Sequence, residues 1–310
     1  MTMFGKLLRP FFGVSQQDAT SFSTGDEQAA LRLETVIKTV TKGCQLTLQN
    51  PRFDALVPRL EAFDAEIRGF AYEGAGTGLA ALDCALPWKN RTKDFLDGPG
   101  APYIYAVHIG AGLALARLRR RPEPFLKRLD PVVGWTAIDG YGFHEGFFAR
   151  RRFVREQVVP DHLSAYGRRA FDHGIGRAIW FLAGGNIVEV ASTIGGFTSA
   201  RHPDLWGGVG LACGYTGGVN QAAIATLQRA AGQWALHMGV GTAIAANARM
   251  RAESPAPYAE RACKILTGVR SAEASEIVER AFIDLPPDGR EPAYEIWRQR
   301  IMAQLTPVLA

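Results

Sequence analysis

The chain has 310 residues, of which 47% are hydrophobic and 21% charged. That is enough apolar material for one large domain or two ordinary ones, and too much for a disordered tail. A net charge of +5 with a pI near 9.1 is too mild for a protein that coats nucleic acid by charge.

In chain order, the opening MTMFGKLLRPFF is interrupted by Lys6 and Arg9, so it lacks the apolar core of a signal peptide. Thr24 and Glu27 form a capping box and Gly43 reads as a stop, which predicts a helix over 25–42. Apolar residues at three- and four-residue spacing predict a second helix over 53–70. The longest apolar run, 103–118, contains His108 and Arg117 and falls short of the ~20 residues a bilayer span needs. Asp161 is placed to cap a helix running through 163–184, and Asn220 to Ala252 reads as one long helix. Breakers stand at 97–102, 119–124, 253–257 and 285–289, and no alternating strand pattern recurs. The expected class is all-α, with an N-terminal helical segment (1–48), a glycine-rich helical core (49–252) and a helical tail (253–310) packed on it. Cys44, Cys84, Cys213 and Cys263 are widely spaced and read as buried reduced thiols of a soluble cytoplasmic protein.

Thirty-four glycines, about 11% against an average near 7%, are the anomaly, and six segments organise many of them. These are Tyr72–Gly76, His108–Gly112, His144–Gly146, Asp172–Gly176, Trp206–Gly210 and His237–Gly241, whose aligned glycines 74, 110, 146, 174, 208 and 239 recur every 28–36 residues. That period holds a helical hairpin. Because glycine costs a helix up to ~1 kcal/mol against alanine, close helix–helix approach is the compensating gain. The expected architecture is a superhelix or α/α toroid with the glycine faces turned inward; glycine-rich helices in an ordinary bundle are the plainer alternative.

Of six histidines, four (His108, His144, His173 and His237) fall in the two columns before the aligned glycine, together with Glu73, Glu145 and Asp172. A shared interior would gather them in a cavity with Tyr105, Phe143, Trp180, Trp206 and Trp234 as apolar substrate-binding walls. Three roles are open to such a set: metal ligation, acid–base chemistry with shifted pKa values, or satisfied polar packing. Asp139 and Asp204 read equally well as helix caps. Gly74–Gly78 and Gly207–Gly210 resemble phosphate loops, but the preceding strand and the Walker lysine are both missing. The arginine runs 117–121 and 150–155 suit solvated helix ends, or an acidic carrier protein or diphosphate group. Interleaved aromatics are too few for nucleic acid.

The segments RGFAYEGAGTGLAALD, DGYGFHEGFF, FDHGIGRAIWF and RHPDLWGGVGLACGYTGG, in that order, resemble the UnbL-type family of bacterial proteins, found mainly in enediyne polyketide gene clusters. The resemblance covers about residues 50–250 and implies a setting, bacterial secondary-metabolite biosynthesis, without a reaction, cofactor or catalytic residues. The expected function is therefore rearrangement, cyclisation or oxidation of a long apolar polyene or lipid-like intermediate by the histidine and carboxylate set. The alternative is a non-catalytic helical-repeat protein that binds a carrier protein or shields a reactive intermediate.

Overall fold

Most of the aligned glycines lie inside helices, at the points where those helices cross. The computed structural model describes residues 3–13 and 27–309, and all regular structure among them is helical. Seven helices form a row: α1 (Glu27–Gln49), α2 (Ala65–Ala85), α3 (Ile104–Arg117), α4 (Thr136–Phe148), α5 (Ala165–Leu182), α6 (His202–Thr216) and α7 (Ala235–Arg251).

Each neighbouring pair in the row is joined by a pair of glycines: 43 with 74, 76 with 110, 112 with 140, 142 with 174, 176 with 208, and 210 with 241. A Cβ on any of the twelve would lie 1.9–2.3 Å from a carbonyl oxygen of the facing helix. That oxygen always belongs to the residue three before the partner glycine, as Gly110 meets Glu73 and Gly76 meets Val107. Backbones at this range make Cα–H···O contacts, each worth ~0.5–1 kcal/mol. The Gly-x-Gly motif thus has a division of labour. Its first glycine packs on the helix before it in the row and its second on the helix after.

Neighbouring helices run parallel. Gly74 sits against Val40 and Cys44, while Gly78, one turn on, sits against Cys44 and Thr47. Gly142 and Gly146 advance in the same sense along α5, from Phe171 to Ala178. A parallel neighbour obliges the chain to travel back ~20–35 Å between row helices of 13–23 residues. The long returns 86–103, 118–135, 149–164, 183–201 and 217–234 do this, several through short helices of their own. Row helix plus return sets the repeat length.

The row curls so that its early helices meet its late ones. Arg32 of α1 donates to the Thr216 carbonyl (2.9 Å), and the Tyr105 hydroxyl of α3 donates to Asn247 of α7 (2.7 Å). Three further helices, α8 (Pro257–Thr267), α9 (Ser271–Arg280) and α10 (Ala293–Leu309), cover α7 around the buried Trp297. α10 is held by buried charge. Arg298 donates to Asp204 (2.9 Å), Arg169 bridges Asp204 and Glu295 (2.9 and 3.0 Å), and Tyr166 donates to Glu295 (2.9 Å). No helix among the described residues is long and apolar enough to cross a membrane.

Several sequence expectations are corrected. Gly43 does not end α1, which continues to Gln49, because that glycine is a crossing point rather than a cap. The 53–70 helix is two, Phe53–Glu61 and α2, separated at 62–64. The 220–252 helix is also two, Gln221–Ala231 and α7, parted at Gly232 with a φ of 53°. Ser164 caps α5 in place of Asp161, its side chain accepting from the Gly167 amide. The Thr24–Glu27 box lies outside the described residues. The repeat glycines face neighbouring helices along the row and not one axis, and the third and sixth crossings use Gly140 and Gly241 in place of Gly146 and Gly239.

Gly208→Ala would place a methyl 1.9 Å from the His173 carbonyl oxygen, which backbone cannot yield. A loss at or beyond the ~3 kcal/mol of ordinary overpacking is expected in chemical denaturation. Gly195→Ala, on a helix with nothing within 4 Å, is expected to be neutral or stabilising by up to ~1 kcal/mol. Asp204→Ala leaves Arg298, only 5% exposed, without its main partner, and is expected to cost about 3–5 kcal/mol.

Candidate functional site

The curl leaves a narrow cleft, about 90 Å³ in volume and open at one side, between α1, α2, α3, α4 and α5, with Phe12 of the N-terminal segment at its edge. Its walls are apolar and aromatic: Ile37, Val40, Phe70, Leu113, Phe143, Phe147 and Phe181. Glu73, His144, Arg177 and Arg117 are the charged or titratable side chains that line it besides the Cys44 thiol. Cys44 is inert, since burial pushes its pKa far up.

Glu73 is placed by the glycine crossings on both sides of it. Gly74 packs on α1, while Gly76 and the facing Gly110 pack on α3, so the side chain between them has a fixed direction. The carboxyl is 4% exposed. Burial raises its pKa to about 7, Arg177 opposes the shift and Asp139 adds to it. The carboxyl is therefore half protonated near neutrality, in walls that hold few competing polar groups.

Behind it stands a buried relay. Arg177 of α5 donates Nη1 to Asp139 of α4, and His173 Nδ1 meets the other oxygen of Asp139 at 2.5 Å. Burial would raise the Asp139 pKa, but the Arg177 charge and the His173 hydrogen bond hold it below the ordinary range. Asp139 is thus an ionised anchor. The guanidinium lies 4.9 Å from the centroid of the Phe143 ring and borders the cleft. The pair Gly142–Gly174 fastens α4 to α5 within one turn of these residues.

The other expected site residues are distributed elsewhere. His144 lines the cleft with neither ring nitrogen hydrogen-bonded among the described residues, and Glu145 lies 3.6 Å from its Nδ1. His108 is fully buried away from the cleft and accepts from the Asp130 amide at 3.2 Å; burial lowers its pKa to about 4, so it stays neutral. Asp172 is taken up by Arg201 through two hydrogen bonds of 2.9 and 2.5 Å. His237 leans on Trp234 near the Asp204 network, its pKa lowered by burial and by Arg298. Of the five aromatic walls only Phe143 lines the cleft. Tyr105 stacks near Trp297, and Trp180 and Trp206 are core residues. The shared interior thus receives Glu73, Phe143, His144 and, behind them, His173; it does not receive His108, Asp172 or His237. Arg177 was not singled out in the sequence, although it directly follows a Gly-x-Gly crossing, as Glu73 directly precedes one. Among the described residues no three His, Cys, Asp or Glu side chains converge as metal ligands would.

A family model described as "Protein of unknown function (DUF1702)" matches residues 3–305. The chain belongs to that family. The match spans the glycine row and most of the C-terminal helices, so family membership extends to the whole arrangement around the cleft. No curated protein and no solved structure matches the chain.

Glu73 has a stability signature of definite sign. Its folded pKa of about 7 lies above the ordinary 4.5, so the folded state binds the extra proton between these values and stability falls as pH rises through them. His108, lowered to about 4, works in the opposite sense up to its ordinary value near 6.5. The difference between the parent protein and Glu73→Gln isolates the carboxyl. From pH 5 to pH 8 the parent is expected to lose on the order of 2–3 kcal/mol relative to the variant, read from paired urea denaturations.

Proposed function

We propose that the cleft holds a long apolar molecule, a polyene or lipid-like intermediate of bacterial secondary metabolism, and that Glu73 exchanges a proton with it. The observation that carries this reading is a buried carboxyl, the one acid lining the aromatic cleft among the described residues, with a guanidinium beside it that is committed to Asp139. The resemblance of the glycine-motif segments to proteins of enediyne gene clusters supports an unsaturated chain as substrate.

In the protonated state Glu73 is a general acid toward a carbon–carbon double bond. In the ionised state it is a base toward an allylic proton of the same chain. Delivery at one carbon and removal at another shifts the double bonds or closes a ring with no net change in the enzyme. Arg177 stabilises the carboxylate that each donation leaves, and the ionised Asp139 with His173 keeps the guanidinium at its post. The apolar walls exclude the water that would quench a cationic intermediate.

Parinaric acid, a fluorescent conjugated tetraene, tests both parts. Its emission is expected to rise on entering the cleft, and incubation in deuterium oxide is expected to place deuterium on the chain, read by mass spectrometry. Glu73→Gln is expected to keep the emission and to lower deuterium incorporation by about 10²-fold or more. Equal incorporation in the two proteins would contradict the role of Glu73. Binding without incorporation in the parent would mark the protein as a holder of the intermediate.

A further inference from the structure

The first arginine run and one member of the second, separated in sequence by the whole of α4, line one groove. Arg117, Arg119, Arg120 and Arg121 enter it from the end of α3, and Arg152 from the turn after α4. Glu145 and Asp161 are the acids on its walls, and Glu145 already faces His144. None of Arg119, Arg120 and Arg121 forms an ion pair among the described residues, and all three are exposed.

Both runs have unusual backbone. Arg119 closes α3 with a φ of 52°. Its amide donates to the Ala116 carbonyl and that of Arg120 to Leu115 (2.9 and 2.8 Å), a helix stop in which glycine is the unstrained residue. Residues Arg151–Arg155 form a π-helical turn, a local departure frequent at functional sites. A cationic side chain stands where a glycine would suit the backbone better.

The groove and the apolar cleft share two walls, Arg117 and His144. Arg117 fixes the rim by donating Nε to the Phe11 carbonyl (2.6 Å), while Phe12, the next residue, borders the cleft. From Gly110, which packs at the level of Glu73, to Arg117 is ~10 Å along α3. An apolar chain reaching Glu73 therefore has its other end among the arginines.

We propose that this groove binds the phosphate or diphosphate head of an amphiphile whose chain occupies the cleft. Guanidinium groups suit phosphate oxygens through paired N–H donors, and five of them against two acids supply the charge. The assignment rests on the reading of the cleft as a chain site, and it adds the chemical class of the substrate's head.

Calorimetric titration with decyl phosphate, decanol and inorganic pyrophosphate separates the possibilities. Decyl phosphate is expected to bind at least about tenfold more tightly than decanol and than pyrophosphate. The double variant R120E/R121E is expected to abolish that preference while leaving decanol binding unchanged. Arg119→Gly serves as the second variant: it relieves the backbone at φ 52°, so it is expected to unfold no earlier than the parent and yet to bind decyl phosphate several-fold more weakly. Equal affinity for decyl phosphate and decanol, or an undiminished preference in both variants, overturns the head site while the cleft reading stands. Pyrophosphate binding as tightly as decyl phosphate overturns the linkage of head and chain. Failure of decyl phosphate and decanol alike overturns this proposal together with the cleft as a chain site.

Discussion

The contact on which everything else depends is a glycine of one helix seated on a carbonyl oxygen of its parallel neighbour, three residues before the neighbour's own glycine. Repeated at six crossings, it sets the helices of the row at backbone contact distance. The constraint is severe because it admits no side chain at twelve positions. It also explains the composition: a fold that spends two glycines on nearly every row helix needs many, and recovers their helix cost through approach rather than through bulky interdigitation.

Close crossings have a second consequence. Residues adjacent to a crossing glycine cannot rotate away, so their side chains are directed before any ligand arrives. Glu73, Asp139 and His173 each precede a crossing glycine by one residue, and Arg177 follows one. The molecule can thereby bury a carboxyl that forms no ion pair among the described residues and hold a guanidinium beside it, both of which cost stability. The Asp204 network at α10 and the paired Asp172–Arg201 are the contrasting case, where charge is buried with its partners and stitches elements together.

Much of this was legible in the sequence and some was not. The all-α class follows from the helical periodicities and the lack of an alternating strand pattern, and the recurring Gly-x-Gly segments mark where the row helices approach one another. Glu73, Phe143 and His144 were in the expected set. His108 and His237 fit the same pattern and sit elsewhere: His108, like Asp172, stands two residues before a crossing glycine, whereas Glu73 stands one before, and His237 precedes Gly239, which is not the glycine that makes the crossing. Arg177 escaped notice because the columns considered stood before the glycine. The break at 62–64 was hidden by an apolar rhythm that continued through it in phase. The convergence of Arg117–Arg121 with Arg152 depends on the parallel order of α3 and α4 and on the return between them, which only the fold supplies.

The glycine row forces the Glu73 carboxyl into an apolar cleft, where burial raises its pKa to about 7. Carbon-13 NMR of the Glu73 side-chain carboxyl across a pH titration reads that pKa directly. A midpoint near 7 that falls toward the ordinary range when Phe143→Ser admits water is the expected result; a midpoint near 4.5 in the unaltered protein would contradict the account.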